Sequence, residues 1–378
     1  MSTAQLFSAF PPVSFETWKA KLEAELRGKS FESLFTEPEP GLRMSPYIHP
    51  DLGPKEVPGP LNQGRSDNNW AVTVQILSAD PVQAHGLAME ALTGGAECIW
   101  IVLPHRWEVA DFALFLKGIH LDMIQLQVTC TGSVADQWHN FEALQTHLTS
   151  SHPAAGLSVL WGIDALQWIQ AGYIDQLADS CRFCNIFPGS KIMAFSRTDG
   201  ILTPTRQLAT LLLQAEEVTR VLHRAGVDPA LSIGAMHFFW PSGRDFFLEL
   251  ASIRAFHILW ANYLQARGMA PQQAPITAFQ NPDSLDLDSY QNMITASTQS
   301  MSAVMGGVQR LLVLPSDIRE NLDGTEFSRR VARNLQHVLR YEAFLDKVVD
   351  PAAGSRLVEQ WTAQIAQTAW QFFQESVD

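Results

Sequence analysis

The side chains that could perform chemistry in this chain are histidines, arginines and aspartates that follow apolar runs. Histidine can act as a general acid or base near neutral pH, and arginine can hold an anion. His237 lies inside an apolar run, however, where a hydrogen-bonded core histidine is the commoner arrangement. Arg197 and Asp199 fit a solvated loop pair better than an anion clamp. The whole set is His105, Arg106, Arg197, Asp199, His237 and Asp317.

No familiar catalytic pattern connects these residues. The sequence shows no Ser-His-Asp order, no HExxH, no phosphate-binding loop and no paired-carboxylate pattern. Cys181 and Cys184 have the spacing of a redox or zinc pair. A structural zinc site needs two further ligands, and no second pair is present, so we expect no metal site. The residues therefore indicate catalysis only weakly.

The elements that must position these side chains alternate between short apolar runs and amphipathic helices. Eight strands each followed by a helix, over roughly 300 residues, predict a (β/α)8 TIM barrel within the α/β class. An open doubly wound sheet is the alternative, but Leu77-Ser-Ala-Asp-Pro81 after the first strand is not glycine-rich. One helix is predicted over Ala165–Ala178. The predicted strands are Ala71–Leu77, Cys98–Leu103, Met123–Thr129, Leu157–Trp161, Lys191–Ser196, Leu231–Phe239, Ile276–Phe279 and Arg310–Leu314.

In such a barrel the functional residues lie where strands end and the following loops begin. The mouth predicted here is sparse in titratable groups and rich in aromatic and neutral residues. Aromatic side chains could instead fill the barrel, and the candidates for this are Trp161, Phe238, Phe239 and Trp240. The substrate-pocket candidates are Gln75, Ser196, Arg197, His237 and Gln280.

Residues 1–65 differ in composition from the predicted barrel domain at 66–378, and we expect them to form an N-terminal arm. A helix is predicted over Phe15–Leu26, and residues 37–65 are rich in proline and glycine, which is typical of an extended segment. The apolar face of this helix needs cover from the barrel or from another chain, and we favour another chain. The partner-interface candidates are Phe10, Pro11, Pro12 and Trp18.

Composition excludes several functional classes. The chain has 378 residues, of which 46% are hydrophobic and 17% charged, with a formal net charge of −13. An acidic chain without a basic stripe is a poor candidate for nucleic acid or an anionic membrane. No apolar run approaches the length of a membrane span and no secretory signal is visible, so we expect a cytoplasmic protein.

Several stretches, in order along the chain, resemble the methylmalonyl-CoA mutase family of adenosylcobalamin-dependent acyl-CoA isomerases. The most specific are Arg330-Val-Ala-Arg-Asn334 and Val348-Val-Asp-Pro-Ala-Ala-Gly-Ser355. The others are Phe10-Pro-Pro-Val-Ser-Phe-Glu-Thr-Trp18, Leu26-Arg-Gly-Lys-Ser-Phe-Glu-Ser-Leu34, Gly41-Leu-Arg-Met-Ser-Pro-Tyr47, Asn69-Trp70, Asp80-Pro81, Ala91-Leu-Thr-Gly-Gly-Ala96, Asp245-Phe-Phe-Leu-Glu-Leu-Ala-Ser-Ile-Arg-Ala255, Leu259-Trp-Ala261 and Ser300-Met-Ser-Ala-Val-Met-Gly-Gly307.

The departures from the family pattern concern its chemistry. The family's cobalt-ligating Asp-x-His-x-x-Gly loop does not occur in this sequence. Catalytic chains resembling this one carry Trp-Thr-Ile-Arg-Gln-Tyr in the first strand, where this chain has Trp70-Ala-Val-Thr-Val-Gln75 and so lacks the arginine and the tyrosine. Ser196 stands near the position of the family's thioester-binding histidine, whereas Gln280 matches a glutamine of the catalytic barrel.

The resemblance therefore implies the small, non-catalytic subunit of a heterodimeric methylmalonyl-CoA mutase. Its partner would be the large subunit, which would bind adenosylcobalamin, while this chain alone would bind no cofactor. Two alternatives are open. One is the barrel half of a split acyl-CoA mutase with its cobalamin domain on another chain. The other is a stand-alone acyl-CoA enzyme of altered chemistry that uses Arg197, Asp199 and His237.

Overall fold

The computed structural model describes residues 12–49, 51–52, 65–151, 157–197 and 203–377, the side chain of Asp283 excepted. Eight parallel strands form a closed barrel whose strand order follows the chain, with the last strand hydrogen-bonded to the first. Helices connect successive strands and surround the barrel. The predicted (β/α)8 barrel is therefore confirmed.

The strands begin with a two-stranded antiparallel hairpin that precedes the barrel. Parallel pairing aligns the amino end of the last strand with that of the first, because Arg310 lies opposite Ala71 and Leu312 opposite Thr73. The hairpin strands are β1 (Thr36–Glu39) and β2 (Leu42–Met44), and the barrel strands are β3 (Ala71–Ile76), β4 (Cys98–Leu103), β5 (Gln125–Cys130), β6 (Val159–Ile163), β7 (Lys191–Ser196), β8 (Met236–Ser242), β9 (Ile276–Gln280) and β10 (Arg310–Leu312).

Aspartate side chains cap several helices where a strand passes into its crossover. Asp80 accepts a hydrogen bond from the amide of Val82, and Asp245 accepts one from the amide of Leu248, each at 3.0 Å. Such caps satisfy amides that have no partner inside the helix. The helices are α1 (Phe15–Glu25), α2 (Pro81–Thr93), α3 (Val109–Phe115), α4 (Val134–Ser151), α5 (Ala165–Gln170), α6 (Ile174–Ile186), α7 (Pro204–Arg224), α8 (Pro229–Gly234), α9 (Phe246–Ala266), α10 (Ser289–Gly306), α11 (Glu326–Tyr341) and α12 (Arg356–Val377).

Two predicted elements were wrong in their extent. The strand predicted over Leu231–Phe239 is the short helix α8 followed by β8, because Asp228 caps a helix whose first residue is Pro229. Proline at that position favours a helix start, since it has no amide to leave unpaired. The single helix predicted over Ala165–Ala178 is α5 and α6, separated at Gly172, whose φ of +82° interrupts the helical backbone.

Part of the N-terminal segment packs on its own barrel. The carboxylate of Glu39 accepts hydrogen bonds from the amide of Thr205, at 3.1 Å, and from its hydroxyl, at the start of α7. Met44 is fully buried, and the indole of Trp361 donates to the carbonyl of Ser45 at 3.3 Å. The extended segment predicted over 37–65 therefore contains the β1–β2 hairpin. By contrast, α1 has no buried residue.

A buried ionic cluster joins α9 to the C-terminal segment. The guanidinium of Arg254 donates to both carboxylate oxygens of Asp350, at 2.9 and 2.8 Å, and to Glu359 at 2.9 Å. Arg254 is only 1% exposed, so these contacts compensate a charge that water does not reach. The motif around Asp350 thus holds α12 against the barrel. Among the described helices, none has the length and apolar character needed to span a bilayer.

Candidate functional site

An aromatic plug formed by Trp100, Phe239 and Phe279 fills the barrel axis where a substrate channel would run. The rings of Trp100 and Phe239 stack with their centroids 4.9 Å apart and an interplanar angle of 13°. The ring of Phe279 meets Trp100 edge-on at 5.7 Å. Buried leucines pack against the plug toward the carboxyl ends of the strands, and these are Leu285, Leu312 and Leu314.

Two further contacts hold the aromatic plug in place. The indole of Trp100 donates a hydrogen bond to the hydroxyl of Thr129 at 2.8 Å. Gly162 lies so close to this contact that a Cβ there would be 2.1 Å from Thr129 Cγ2 and 3.3 Å from Phe239. Any larger residue at 162 would therefore displace the neighbouring side chains. Glycine is needed here for close approach rather than for its backbone conformation.

Of the four aromatic residues predicted as possible fillers, Phe239 lies in the plug and the others pack outside the barrel. The ring of Phe238 contacts Phe256 of α9 at 4.7 Å, and Trp240 contacts the same ring at 5.9 Å. Trp161 contacts Phe141 of α4 at 5.1 Å. Side chains alternate between the two faces of a strand, so neighbouring aromatic residues face opposite ways.

Gln75 and Ser196 line separate clefts around the barrel. Gln75 lies in a cleft beside α11 that also includes Arg329 and Arg333. Ser196 lies in a cleft between β6 and β7 that includes Asp164 and reaches one edge of Phe239. The two candidates therefore do not face a common ligand-sized space.

Arg197 is part of a buried ionic contact in the wall of the barrel. Its Nη2 donates to Glu249 Oε1 at 2.7 Å and to the carbonyl of Pro241 at 3.0 Å. The guanidinium also lies 4.6 Å from the ring centroid of Trp240, whose indole donates to the second oxygen of Glu249 at 2.9 Å. These contacts occupy the face of Arg197 that an anionic ligand would need.

His237 and Gln280 also have internal hydrogen bonds. His237 Nε2 lies 2.7 Å from the carbonyl of Trp161, so this nitrogen carries the proton. Burial lowers the pKa of His237 to about 3, and its imidazole is neutral at pH 7. Gln280 accepts a hydrogen bond from the amide of Leu314 at 2.8 Å and lies 3.4 Å from Gln299. Neither residue is placed to exchange a proton with a ligand.

Arg106 and Asp317 support helix starts. The side chain of Arg106 donates to Asp136 at 2.5 Å. Hydrogen bonds from Ser133 and then from Arg106 hold the pKa of Asp136 below its usual value. Asp317 accepts hydrogen bonds from Ser328 at 2.5 Å and from the amide of Thr325 at 3.2 Å. Asp199 lies outside the described residues.

The arm candidates form a small aromatic cluster away from the barrel axis. The ring of Trp18 contacts Phe15, Phe31 and His49 at centroid distances of 5.9, 5.9 and 5.8 Å. Pro12 is exposed, while Phe10 and Pro11 lie outside the described residues. This cluster belongs to the N-terminal segment itself, since all of its rings come from that segment.

The plug residues Trp100 and Phe279 were not among the substrate-pocket candidates derived from the sequence. Strand β4 reads Cys-Ile-Trp-Ile-Val-Leu and is apolar on both faces. Strands buried on both faces show no polar alternation, so their inward face cannot be read from periodicity. The available signal was one aromatic residue in each of three apolar strands, namely Trp100, Phe239 and Phe279. The resulting arrangement is an apolar core at the place where a barrel enzyme places its chemistry.

Comparison with known proteins gives consistent similarities. A family model described as Methylmalonyl-CoA mutase matches residues 194–378. The methylmalonyl-CoA mutase small subunit of Porphyromonas gingivalis is 28% identical over 98% of this chain and 63% of that protein. The small subunit of Streptomyces virginiae is 27% identical over 98% of this chain and 64% of that protein. The large subunit of Streptomyces virginiae is 30% identical over 46% of this chain and 24% of that protein. The chain thus spans less than two thirds of these relatives.

Proposed function

We propose that this chain, which belongs to the methylmalonyl-CoA mutase family, is a small subunit that supports a catalytic large subunit rather than carrying out the rearrangement itself. In this proposal the complex interconverts methylmalonyl-CoA and succinyl-CoA. The large subunit supplies both the acyl-CoA site and the bound adenosylcobalamin. This chain contributes a contact surface for the large subunit and stabilises the complex.

The observation that carries the proposal is the aromatic plug. An acyl-CoA thioester inside the barrel would have to displace the stacked rings of Trp100 and Phe239, which are 5% and 9% exposed. Each aromatic side chain that leaves such a core loses its buried area and its ring contacts. The binding energy of a ligand would have to compensate both losses. A barrel filled in this way favours a scaffold over a catalyst.

The polar residues around the plug also favour a supporting role. The first barrel strand has Thr73 and Gln75 where the resembling catalytic chains have arginine and tyrosine. Arg197 is held by Glu249, and His237 is neutral and hydrogen-bonded to a carbonyl. Neither Arg197 nor His237 would therefore offer a bound thioester a free cation or acid.

His237, the candidate histidine inside the barrel, does not fit the role of a cobalt ligand. A cobalt ligand must offer an accessible imidazole nitrogen, and metal-bound histidines usually donate their other nitrogen to a partner. His237 meets the second condition, but it is 0% exposed and lies on the far side of the aromatic plug's Phe239 ring, 5.1 Å away. We therefore assign no step of a radical reaction to this chain.

The N-terminal segment is the surface that we assign to the large subunit. The β1–β2 hairpin is anchored on the barrel through Glu39 and Met44, so it presents α1 at a defined place. Helix α1 has no fully buried residue, and its Phe15 and Trp18 are half-buried. A partner that covers the cluster around Trp18 would remove this apolar surface from water.

Co-expression with the large subunit of the same organism tests the proposal. We expect the two chains to purify together and methylmalonyl-CoA mutase activity to require the large subunit and adenosylcobalamin. We also expect calorimetry to show no binding of acyl-CoA esters by this chain alone. Cobalamin-dependent turnover by this chain alone would refute the supporting role, and so would tight acyl-CoA binding, which would favour the stand-alone alternative.

Substitution of Trp18 tests the assigned surface. Trp18→Ala should weaken co-purification, because tryptophan anchors dominate the binding energy of many interfaces. Tyr290→Ala is the matched control, since Tyr290 is an aromatic residue on α10 that is 76% exposed. Equal retention of the large subunit by both variants would show that α1 does not contact the partner.

A further inference from the structure

The barrel interior changes character toward the amino ends of its strands, below the aromatic plug. Arg310, the first residue of β10, is 6% exposed. Its Nε donates to the hydroxyl of Thr277 at 2.7 Å, and its Nη1 lies 3.4 Å from Gln125 Oε1. Its Nη2 is buried and has no hydrogen-bond acceptor among the described residues.

A second donor without an acceptor lies beside Arg310. The hydroxyl of Thr277, which accepts from Arg310, is 3.4 Å from the side-chain oxygen of Gln127. Gln127 is 0% exposed, and its Nε2 has no acceptor in the described part of the chain. Buried polar groups are nearly always hydrogen-bonded. Two such donors around one hydroxyl therefore indicate that an acceptor from outside the chain completes the site.

The positive charge of Arg310 also has no counter-ion among the described residues. No described carboxylate lies within ion-pair distance of Arg310 or of Lys191, whose Nζ donates to the carbonyl of Gly234 at 2.6 Å. Besides Lys191, the titratable neighbours of Arg310 are Cys98 and His237, and both are neutral at pH 7. Burial raises the pKa of the Cys98 thiol to about 11 and lowers that of His237 to about 3.

A solvent-exposed cleft that contains two acidic residues lies next to the site. Gln125, the partner of Arg310, lines a cleft at the amino end of the barrel together with Glu97 and Asp122. Glu97 is itself paired with Arg340 at 2.8 Å. The cleft therefore reaches a hydrogen-bond partner of Arg310, and the carboxylate of Glu97 in it is already engaged by another guanidinium.

A buried guanidinium without a counter-ion is costly, and arginine does not lose its proton in proteins. A water molecule would satisfy the orphaned donors but would leave the positive charge uncompensated. A small anion would satisfy the orphaned donors and also compensate the positive charge.

We propose that the amino end of the barrel interior binds one small inorganic anion of the chloride type, held by Arg310 Nη2 and Gln127 Nε2. The site is independent of the supporting function proposed above. The anion replaces the carboxylate that the chain does not supply, and it permits a cation to remain inside the barrel.

Thermal unfolding in two sodium salts tests this site. The intact chain is melted in sodium chloride and in sodium gluconate at the same ionic strength, because gluconate is too large for the interior. Binding to the folded state alone raises the unfolding midpoint as chloride increases. We expect a rise of about 1–3 °C at about 0.5 M chloride relative to gluconate. Equal midpoints in the two salts would overturn the proposal.

Two variants separate this site from general salt effects. Arg310→Met and Gln127→Met should each lose most of the chloride-specific rise. Arg267→Met, which breaks the half-exposed pair with Glu216, should keep it. If Arg310→Met does not fold, Gln127→Met still decides the question, and a chloride effect unchanged in it would refute the site.

Crystals soaked in sodium bromide provide a direct measurement. We expect an anomalous bromide peak within hydrogen-bonding distance of Arg310 Nη2, because a halide accepts from a guanidinium. Density without anomalous signal at that position would identify a water molecule and overturn the proposal.

Discussion

Replacing Trp100 and Phe239, singly and together, measures how firmly the aromatic plug fills the barrel. Trp100 is 5% exposed and donates to Thr129. Removing a buried tryptophan or phenylalanine side chain costs about 3–5 kcal/mol of unfolding free energy, from lost burial and the cavity left behind. We expect Trp100→Ala to lie at the upper end of this range, because it also removes a hydrogen bond, and Phe239→Ala at the lower end.

The double variant isolates the contact between the two rings. The stacked geometry, at 4.9 Å and 13°, predicts a coupling energy of about 0.5–1.5 kcal/mol beyond the burial of each ring. The double variant should therefore be less destabilised than the sum of the single variants by that amount. Urea unfolding followed by far-UV circular dichroism gives the four free energies, since changes in tryptophan fluorescence would confound the comparison.

A parallel cycle provides the control. Trp138 stacks on Phe141 outside the barrel, with centroids 5.7 Å apart, and does not contact Phe239. Trp138→Ala and Phe239→Ala should be additive to about 0.5 kcal/mol. A Trp100–Phe239 coupling as small as this control, or a loss below about 1 kcal/mol for Trp100→Ala, would contradict a packed plug and would weaken the argument for a supporting subunit.

Two further predictions concern buried ionisable groups. Arg254→Met should lower the unfolding free energy in urea by about 3–5 kcal/mol, because it removes the cation shared by Asp350 and Glu359. The control Arg267→Met should cost less than about 1 kcal/mol. An equally small cost for Arg254→Met would show that the cluster is not buried in solution. His237 is neutral in the folded state, whereas in the unfolded state it protonates below its ordinary pKa of about 6.5. The unfolding free energy should therefore fall as the pH drops from about 6.5, by up to about 1.4 kcal/mol per pH unit. Above that pH the contribution of His237 should be constant. His237→Gln should reduce the slope between pH 6.5 and 5, and an unchanged slope would contradict the assignment.

Local signals in the sequence predicted the element pattern well. Proline at the start of α2 and α7, with Asp80 and Thr203 before them, marked helix starts that the structure reproduces. The errors arose where a short-range signal was overlooked. Asp228-Pro229 begins a helix inside an apolar run, and Gly172 divides a helix that hydrophobicity alone continues.

The candidate site was predicted less well, because strand ends give positions but not partners. Arg197 was correctly placed at the end of β7, but Glu249 lies 52 positions further along the chain. Periodicity describes neighbours within one element, and this contact joins two. Thus the residues at the barrel mouth could be named from the sequence, whereas their hydrogen-bond and ion-pair partners could not.

The sequence by itself determined the number and order of the elements, the barrel class and the resemblance to a mutase family, because these depend on spacing along the chain. Only the tertiary structure decided which aromatic residues fill the axis and which cations have partners. Barrel closure brings Trp100, Phe239 and Phe279 from β4, β8 and β9 together, and it places Asp350 against Arg254 across a separation of 96 positions. Such contacts depend on the inward face and the relative stagger of the strands, which chain closure sets and a one-dimensional pattern does not contain.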